Sequence, residues 1–242
     1  MPVETCLRCG GTGWIFKTVD EVEVVNRCTC DEETRAERFA SRSGIPPLYA
    51  NASTENFSLP KDNPIAHRGL AGVMLTVRTF VREYPAVDKS GLLFIGETGV
   101  GKTHLAVAAL NALIQRGFEG VFFDYQTLLD RIRSGYDRSS GSMDKEAYRL
   151  ALDCEILLLD DLGAHRVTDW VEDTVASIIT HRCNHHKPVI VTTNLPAPGQ
   201  ESNKAKDSLS DRIGVRAWSR LNEMCKVVQM PNVEDYRVRG RR

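Results

Sequence analysis

The sequence predicts an α/β protein whose core is a five-stranded parallel sheet with helices on both faces, preceded by a small N-terminal head. Two observations predict the core: the chain contains five short apolar runs, and these runs alternate with segments of helical periodicity. This alternation is typical of a parallel sheet with crossover helices. The runs are centred near residues 92, 121, 156, 189 and 226. A third observation predicts the head, because four of the seven cysteines fall within the first 30 residues.

Composition excludes several classes of protein. The chain has 242 residues, of which 42% are hydrophobic and 26% charged, with a net charge of −1. These values are ordinary for a globular protein with a core of about 180 residues and a small appendage. No run approaches the length of a membrane span, and the N-terminus has neither a basic start nor an apolar stretch, so we expect neither membrane anchoring nor secretion. We therefore expect a cytoplasmic protein with reduced or metal-bound cysteines.

The head carries two close pairs of cysteines, separated by eighteen residues: Cys6 and Cys9, then Cys28 and Cys30. No histidine precedes His67, so a metal site here would consist of four thiolates around a tetrahedral zinc ion. Residues 14–16 and 22–25 predict a short hairpin between the pairs. So small a module usually needs a metal for stability. We predict a zinc-ribbon-like head; a redox pair and cysteines without a special role are the alternatives.

Between the head and the core, the pattern predicts two helices and a linker. Acids lead the charged stretch 31–39, which suits an exposed helix, and the prolines after Gly44 end it. Apolar residues recur at spacings of three and four over 70–81, which predicts an amphipathic helix. We therefore divide the chain into three parts: a head with its connecting helix (1–43), a linker with the amphipathic helix (44–90), and the core (91–242).

The first core strand, 91–95, leads into a loop of the form Gly-x-x-x-x-Gly-Lys-Ser/Thr, followed by a helix to Gln115. The loop consists of Gly96, Glu97, Thr98, Gly99, Val100, Gly101, Lys102 and Thr103. Its glycines let the backbone turn its amides onto a phosphate at a helix N-terminus. Lys102 can reach the outer phosphates, and the Thr103 hydroxyl can ligate magnesium. The sequence therefore predicts a site for a nucleoside triphosphate with Mg²⁺.

Polar side chains follow two of the later strands. An apolar run over 155–163 carries Asp160 and Asp161 at its end; beside the phosphate loop, Asp160 would hold magnesium and Asp161 could polarise the attacking water. Strand 188–194 ends in Asn194, which could hydrogen-bond the terminal phosphate or its attacking water. The alternative is that Asn194 only caps the turn before Pro196.

The remaining elements complete the sheet. A strand at 120–124 precedes helices at 128–134 and 145–153, and a helix at 169–185 follows the two acids. A helix over 208–224 carries three arginines at intervals of four, which predicts that they share one face; they are Arg212, Arg216 and Arg220. After a last strand at 226–230 only twelve residues remain.

Four segments, GETGVGKTHLA, LLLDDLG, IVTTNL and RAWSRLNEMC, resemble in this order the nucleotide-binding motifs of the AAA+ ATPases. The resemblance covers about residues 45 to 236, and it is to the DnaC/IstB branch, which holds bacterial and phage helicase loaders. CLRCGGTGW is similar to the zinc-bearing head of DnaI-type loaders, and CLRCGGTG also resembles one zinc repeat of DnaJ-type chaperones, which carry several copies.

The resemblance implies a role for each matched position. Lys102 and Thr103 form Walker A, Asp160 and Asp161 form Walker B, and Asn194 is the sensor. Asp161, Asn194 and Arg220 are the expected catalytic residues. Arg220 matches the arginine finger, with Arg216 as second choice, and Tyr49 is expected near the adenine. Many AAA+ proteins have Glu where this chain has Asp161. The chain leaves no room for a C-terminal helical lid, so we expect a pocket open on one side, without a second cation of its own, and completed by a neighbouring subunit.

The resemblance also implies an ATPase that loads a DnaB-type replicative helicase onto single-stranded DNA and forms a homo-oligomer when ATP is bound. An IstB-like transposition helper uses the same core and is the alternative. A small-molecule kinase, and a module that binds ATP without hydrolysing it, are further hypotheses from other classes. The candidate contacts to single-stranded DNA are Arg131, Arg133, Lys145 and Arg149.

Overall fold

The fold was analysed in a computed structural model, which describes residues 6, 9, 14–19, 22–134, 143–164, 168–200 and 207–239. The head consists of an antiparallel hairpin, β1 (Trp14–Val19) and β2 (Val22–Arg27), in which Trp14 pairs with Arg27. Helix α1 (Thr29–Arg42) follows the hairpin. The hairpin predicted between the cysteine pairs is therefore present, with longer strands than expected.

The core strands lie close to the predicted positions: β3 (Gly91–Ile95), β4 (Gly120–Asp124), β5 (Ile156–Asp160), β6 (Val189–Thr193) and β7 (Cys225–Gln229). The helices around them are α2 (Pro64–Glu83), α3 (Lys102–Gln115), α4 (Tyr125–Ser134), α5 (Met143–Asp153), α6 (Asp169–Asn184), α7 (Leu209–Met224) and α8 (Tyr236–Arg239). A short 3₁₀ turn spans Pro47–Tyr49.

The five core strands form one parallel sheet in the order β4-β5-β6-β3-β7. Alternate residues of a strand point to opposite faces, and the two faces carry separate apolar cores. Leu93 and Ile95 of β3 pack in the core formed with α4, α5, α6 and α7. Leu92 and Phe94 pack in the core formed with α2 and α3. The predicted α/β sheet with helices on both faces is thereby confirmed.

The connection after α1 packs against the core at the β4 edge of the sheet. The carbonyl of Ser43 accepts a hydrogen bond of 2.7 Å from the backbone N–H of Phe122 in β4. Gly44 follows in the left-handed conformation (φ 69°), and a Cβ there would lie 3.1 Å from the Phe122 carbonyl oxygen. The linker therefore covers part of the edge that β4 leaves open, a usual way of protecting an edge strand.

Two helices begin three or more residues before their predicted starts. Helix α2 begins at Pro64, six residues before the predicted start, because the Asn63 side chain accepts a hydrogen bond of 3.0 Å from Ala66 N and Pro64 occupies the first helical position. Helix α4 begins directly after β4, and Asp124 caps it by accepting a hydrogen bond of 2.8 Å from Thr127 N. Both caps are local sequence signals, and a prediction based only on apolar periodicity does not include them.

The prediction of one continuous helix over 208–224 is wrong, because α7 is kinked at Gly214. Gly214 has φ 80° and ψ 149°, and a Cβ at this position would lie 2.3 Å from a carboxylate oxygen of Glu172. The kink separates Arg212 from Arg216 and Arg220, so the three arginines do not share one helical face. In the part of the chain that the structure describes, no helix is long and apolar enough to cross a membrane.

Candidate active site

The phosphate loop lies between β3 and α3 and depends on two glycines with positive φ. Gly99 has φ 80° and Gly101 has φ 94°, a region that other residues enter only with strain. A side chain is also excluded sterically: a Cβ on Gly101 would lie 2.5 Å from the Phe57 ring, and one on Gly99 would overlap the carboxylate of Asp235. The loop is therefore enclosed on both sides by segments that are distant in sequence.

Lys102 begins α3 and is only 5% exposed. Its Nζ donates to the carbonyl of Glu97 at 2.8 Å and to Asn194 Oδ1 at 2.5 Å. Burial lowers the pKa of Lys102, while the charges of Asp161 and Asp160 act in the opposite direction. The ammonium group is thus desolvated and held at the carboxyl ends of the strands, where ligands bind in open parallel sheets.

Asp160, at the end of β5, is held by two hydroxyls. Thr103 Oγ1 donates to Asp160 Oδ1 at 2.9 Å, and Thr192 Oγ1 donates to the same oxygen at 2.6 Å. Burial raises the pKa of the Asp160 carboxyl, and the hydrogen bonds from Thr192 and Thr103 oppose this shift. The predicted contact between the first acid and the phosphate loop is present in this geometry.

Asp161 and Asn194 meet across the ends of β5 and β6. Asp161 adopts φ 55°, the left-handed conformation, and its backbone N–H donates to Thr192 Oγ1 at 2.9 Å. Asn194 Nδ2 donates to Asp161 Oδ1 at 3.2 Å, while its Oδ1 accepts from Lys102. Asn194 therefore joins the cation of the phosphate loop to the second acid.

These groups line a cavity of about 430 Å³, a volume within the usual range for small-molecule sites. The predicted residues on its wall are Thr98, Gly99, Val100, Gly101, Lys102, Thr103, Asp160, Asp161, Asn194 and Tyr49. Gly96 lies against Met230, and Glu97 contributes its carbonyl to Lys102. Burial, followed by the charge of Asp160, raises the pKa of Tyr49. The phenol therefore lies near the carboxylate end of the cavity.

Phe57, His104 and Arg237 are among the residues of the cavity wall that were not predicted from the sequence. His104 Nε2 lies 3.0 Å from the Ser53 carbonyl, and its ring contacts Phe57 with centroids 5.4 Å apart. His104 follows Thr103 directly and could have been found from the loop motif. No local pattern marks Phe57 or Arg237, because only the packing of distant segments brings them to the site.

The tail after β7 lies on the phosphate loop, which corrects the expectation that the chain brings no second cation to the pocket. Tyr236 N donates to the Gly99 carbonyl at 3.1 Å. Arg237 is fixed to Asp235 through its backbone N–H at 2.9 Å and its Nε at 3.3 Å. A tail with a single four-residue helix, α8, thus brings a guanidinium group to the cavity.

The two candidate fingers lie outside the cavity of their own chain. Arg220 Nη1 donates to Glu223 Oε2 at 2.6 Å, and its side chain is 39% exposed. Arg216 is exposed one turn earlier in α7. Neither is among the residues that line the cavity. The fold therefore does not bring Arg220 or Arg216 together with the phosphate loop of the same chain.

The candidate DNA contacts lie on α4 and α5. Arg131 stacks over the Phe123 ring at 6.0 Å, and Arg133 over the Trp170 ring at 4.8 Å. Arg149 is exposed. The backbone of Lys145 belongs to α5, but its side chain lies outside the described residues. Stacking leaves the positive charge of both α4 arginines near the surface.

The oxygen donors of the cavity fit a magnesium ion. Mg²⁺ is usually held by one or two carboxylates together with substrate phosphates and waters. The Thr103 hydroxyl and the Asp160 carboxylate lie 2.9 Å apart. They are hard oxygen ligands next to the phosphate loop and would hold the ion there.

Three of the four predicted zinc ligands converge in the head. The sulfurs of Cys6, Cys9 and Cys28 all lie within 4.8 Å of one another, and those of Cys6 and Cys28 are 3.7 Å apart. A tetrahedral site with Zn–S bonds of about 2.3 Å separates its sulfurs by about 3.8 Å. Cys30 is the second residue of α1, and its side chain lies outside the described residues. The described sulfurs therefore fit a thiolate zinc site.

Comparison with known proteins agrees with the phosphate loop and the paired acids of the core. Residues 72–242 match the family model of IstB-like ATP binding proteins. The replicative helicase loader DnaC of Escherichia coli (strain K12) is 23% identical over 234 residues, which cover 93% of this chain and 89% of its own length. The phage-like element PBSX protein XkdC of Bacillus subtilis (strain 168) is 23% identical, with 91% and 79% covered.

Solved structures show the same fold. The crystal structure of the DnaC helicase loader superposes with a TM-score of 0.64 and 32% identity, covering 77% of this chain and 100% of that one. The crystal structure of DnaI superposes with a TM-score of 0.60 at 21% identity, covering 81% and 98%. The phosphate loop, the paired acids, the sheet order and these matches together show that the chain belongs to the IstB-like ATP-binding proteins, in the DnaC/IstB branch of the AAA+ ATPases.

Proposed function

We propose that this protein hydrolyses ATP and loads a DnaB-type replicative helicase onto single-stranded DNA. The observation that carries the proposal is one hydrogen-bonded network in the cavity, which joins Lys102, Asn194 and Asp161 and, through Thr192, Asp160 and Thr103. This network occurs in a chain that spans 89% of the length of the loader from E. coli.

Each residue of the network has a separate role in ATP binding and hydrolysis. Lys102 exchanges its contacts to Asn194 and Glu97 for phosphate oxygens when ATP binds, so that its charge compensates theirs. Thr103 and Asp160 would hold a magnesium ion, which would supply further positive charge at the phosphates. Asp161, oriented by Asn194, accepts a hydrogen bond from the attacking water. These contacts bind and align ATP within one subunit.

A second subunit completes the site in this proposal. Arg220 lies on the second half of α7, and its partly exposed side chain forms an ion pair with Glu223 of the same helix. A guanidinium group delivered by a neighbouring molecule stabilises the charge that develops in the transition state. We therefore propose that the ATP-bound homo-oligomer is the hydrolysing form.

We further propose that the head binds one zinc ion through Cys6, Cys9, Cys28 and Cys30 and carries the helicase-binding surface. Metal analysis under reducing conditions should give one zinc per chain. A Cys6→Ser, Cys28→Ser double variant should lose it, whereas Cys183→Ser, which removes a thiol of α6, should keep it. ATP binding should persist in the double variant because the nucleotide cavity lies in the core. Zinc-free wild-type protein would contradict the assignment.

An IstB-like transposition helper is the second candidate, because the matching family model begins at residue 72 and so covers the core without the head. A pull-down against a purified DnaB-type helicase and against a transposase separates the two. The loader proposal expects ATP-dependent capture of the helicase and stimulation of ATP hydrolysis by single-stranded DNA. Capture of the transposase alone would favour the helper instead.

The candidate DNA contacts are tested in the same system. Arg131→Ala and Arg149→Ala should weaken binding to single-stranded DNA and reduce its dependence on salt, since each removes one charge opposite a phosphate. Arg78→Ala serves as the control. Arg78 lies on α2, is exposed and pairs with Glu55. Equal DNA binding by all three variants would exclude this surface of α4 and α5.

A further inference from the structure

The last two residues of β6 are threonines in an otherwise apolar buried strand. Val189, Ile190 and Val191 precede them, and Thr192 and Thr193 are themselves 0% exposed. Valine has nearly the same shape and a higher tendency to be buried, and a buried hydroxyl is costly unless it is hydrogen-bonded. The hydrogen bonds of the two hydroxyls must therefore explain why threonine, and not valine, occupies these two positions.

The Thr192 hydroxyl lies between the two acids. It accepts a hydrogen bond of 2.9 Å from the backbone N–H of Asp161, so its own hydrogen is directed to Asp160 Oδ1, 2.6 Å away. Thr103 donates to the same oxygen of Asp160 from the phosphate loop, at 2.9 Å. Neither hydroxyl engages the second oxygen of this carboxylate. One side chain thus restrains the plane of the first acid and the backbone of the second.

The restraint on Asp161 matters because this residue has φ 55°. A left-handed conformation is uncommon for a non-glycine residue and persists where the surroundings enforce it. The bond from Asp161 N to Thr192, together with the bond of 2.8 Å from Leu162 N to the Thr192 carbonyl, ties the turn after β5 to β6. The direction of the Asp161 side chain depends on this turn.

We infer that Thr192 is a positioning residue for ATP hydrolysis, which sets Asp160 for the metal and Asp161 for the attacking water through one hydroxyl. The inference rests on the proposed ATPase function. Groups that orient metal ligands by hydrogen bonding to them typically contribute 10- to 100-fold to metal affinity or activity. Thr192 touches neither nucleotide nor metal in this scheme, and its effect is transmitted by Asp160 and Asp161.

Thr193 provides a matched control in the same strand. Its hydroxyl donates to the Leu162 carbonyl at 2.8 Å and accepts from Leu195 N at 3.1 Å, so it supports the same turn without contacting either acid. Removal of the Thr193 hydroxyl therefore costs two buried hydrogen bonds, as removal of the Thr192 hydroxyl does. A purely structural role predicts equal effects of the two substitutions.

The test compares Thr192→Val, Thr192→Ser and Thr193→Val in the full chain. ATP affinity is measured by titration with and without Mg²⁺, and kcat is measured as a function of Mg²⁺. Thr192→Val should bind ATP like wild type without Mg²⁺, need about 10- to 100-fold more Mg²⁺ for half-maximal effect, and lose about 10- to 100-fold in kcat. Thr192→Ser restores the hydroxyl and should regain both, and Thr193→Val should keep the wild-type Mg²⁺ requirement.

Two outcomes overturn the inference: a Mg²⁺ requirement unchanged in Thr192→Val, or one changed equally in Thr193→Val. Should Thr192→Val fail to fold, Thr192→Cys, whose thiol is a weak donor and acceptor, should show the same loss to a lesser degree. If the wild type binds ATP with Mg²⁺ but does not hydrolyse it, the ATPase proposal fails, while the Mg²⁺ dependence of ATP affinity still decides the role of Thr192.

Discussion

The nucleotide cavity and the second half of α7 hold their charged side chains in opposite ways. In the cavity, Lys102 and Asp160 are 5% and 9% exposed, and each bonds to elements that are distant in sequence. On α7, Arg220 is 39% exposed and pairs with Glu223, three residues further along the same helix. The cavity is therefore built by the fold, whereas the arginine is presented on the surface by local structure.

This difference separates binding from hydrolysis. A buried charge is costly to leave without its partners, so the cavity retains one geometry. An exposed ion pair contributes little to stability, so Arg220 can exchange Glu223 for another anion at little cost. In the proposed mechanism, one subunit binds ATP with its own cavity, while Arg220, the proposed finger, is presented to a neighbouring subunit. The predictions below test this division, from the largest expected effect to the smallest.

Replacement of Arg220 by alanine should give the largest effect on turnover. We expect normal ATP binding and hydrolysis reduced by about 10³-fold or more, the typical contribution of an arginine finger. Nucleotide titration and a steady-state ATPase assay measure the two quantities. Arg216→Ala is the matched control, because Arg216 lies one turn earlier and should retain most activity.

Mixing sharpens this test. Lys102→Ala keeps Arg220, and Arg220→Ala keeps the phosphate loop, so some interfaces in an equimolar mixture are complete and activity should partly return. If subunits demonstrably exchange and no activity returns, Arg220 acts within its own chain or in folding alone. Arg216 would then be the next residue to examine.

Lys102→Ala should weaken ATP binding by about 100-fold, because a desolvated triphosphate loses its one loop cation and a charged hydrogen bond is worth about 1.5–3 kcal/mol. Fluorescence titration with a labelled nucleotide gives the Kd. Lys61→Ala, which removes an exposed lysine in the loop before α2, should bind like wild type. An unchanged Kd for Lys102→Ala would show that the loop does not hold the phosphates.

Arg237→Ala should weaken ATP binding by about tenfold, because the tail brings its guanidinium group to the cavity wall and its charge acts on Lys102. The same titration measures the change. Arg82→Ala is the control: Arg82 also pairs with a neighbouring carboxylate, Glu83, but on α2. A Kd equal to that of wild type would mean that the tail covers the loop without contributing to binding.

Glu223→Gln should have the smallest effect. We expect the free energy of unfolding to stay close to that of the wild type, and ATP binding to remain unchanged, because the pair with Arg220 is exposed. Urea denaturation measures the first and titration the second. A loss of several kcal/mol would show that Arg220 is fixed in place by its own helix, and the contrast between the two regions would no longer hold.

Much of the core could be predicted because its signals are local. The strands follow from short apolar runs, and the phosphate loop follows from spacing alone. The extension of α2 to Pro64 was missed although Asn63 and Pro64 are a recognisable start signal. The kink at Gly214 could not be predicted in this way, because Glu172 of the preceding helix excludes a Cβ there.

By itself the sequence determined the parallel α/β core, the phosphate loop, the paired acids and the cysteine pairs of the head, since each is a pattern within a few consecutive residues. The tertiary structure decided which of these patterns meet. The order β4-β5-β6-β3-β7 places β6 beside β3 and so brings Asn194 to Lys102, 92 residues away. Packing of the tail on the loop added Arg237. Such contacts depend on burial and steric fit between distant segments, which no local periodicity encodes.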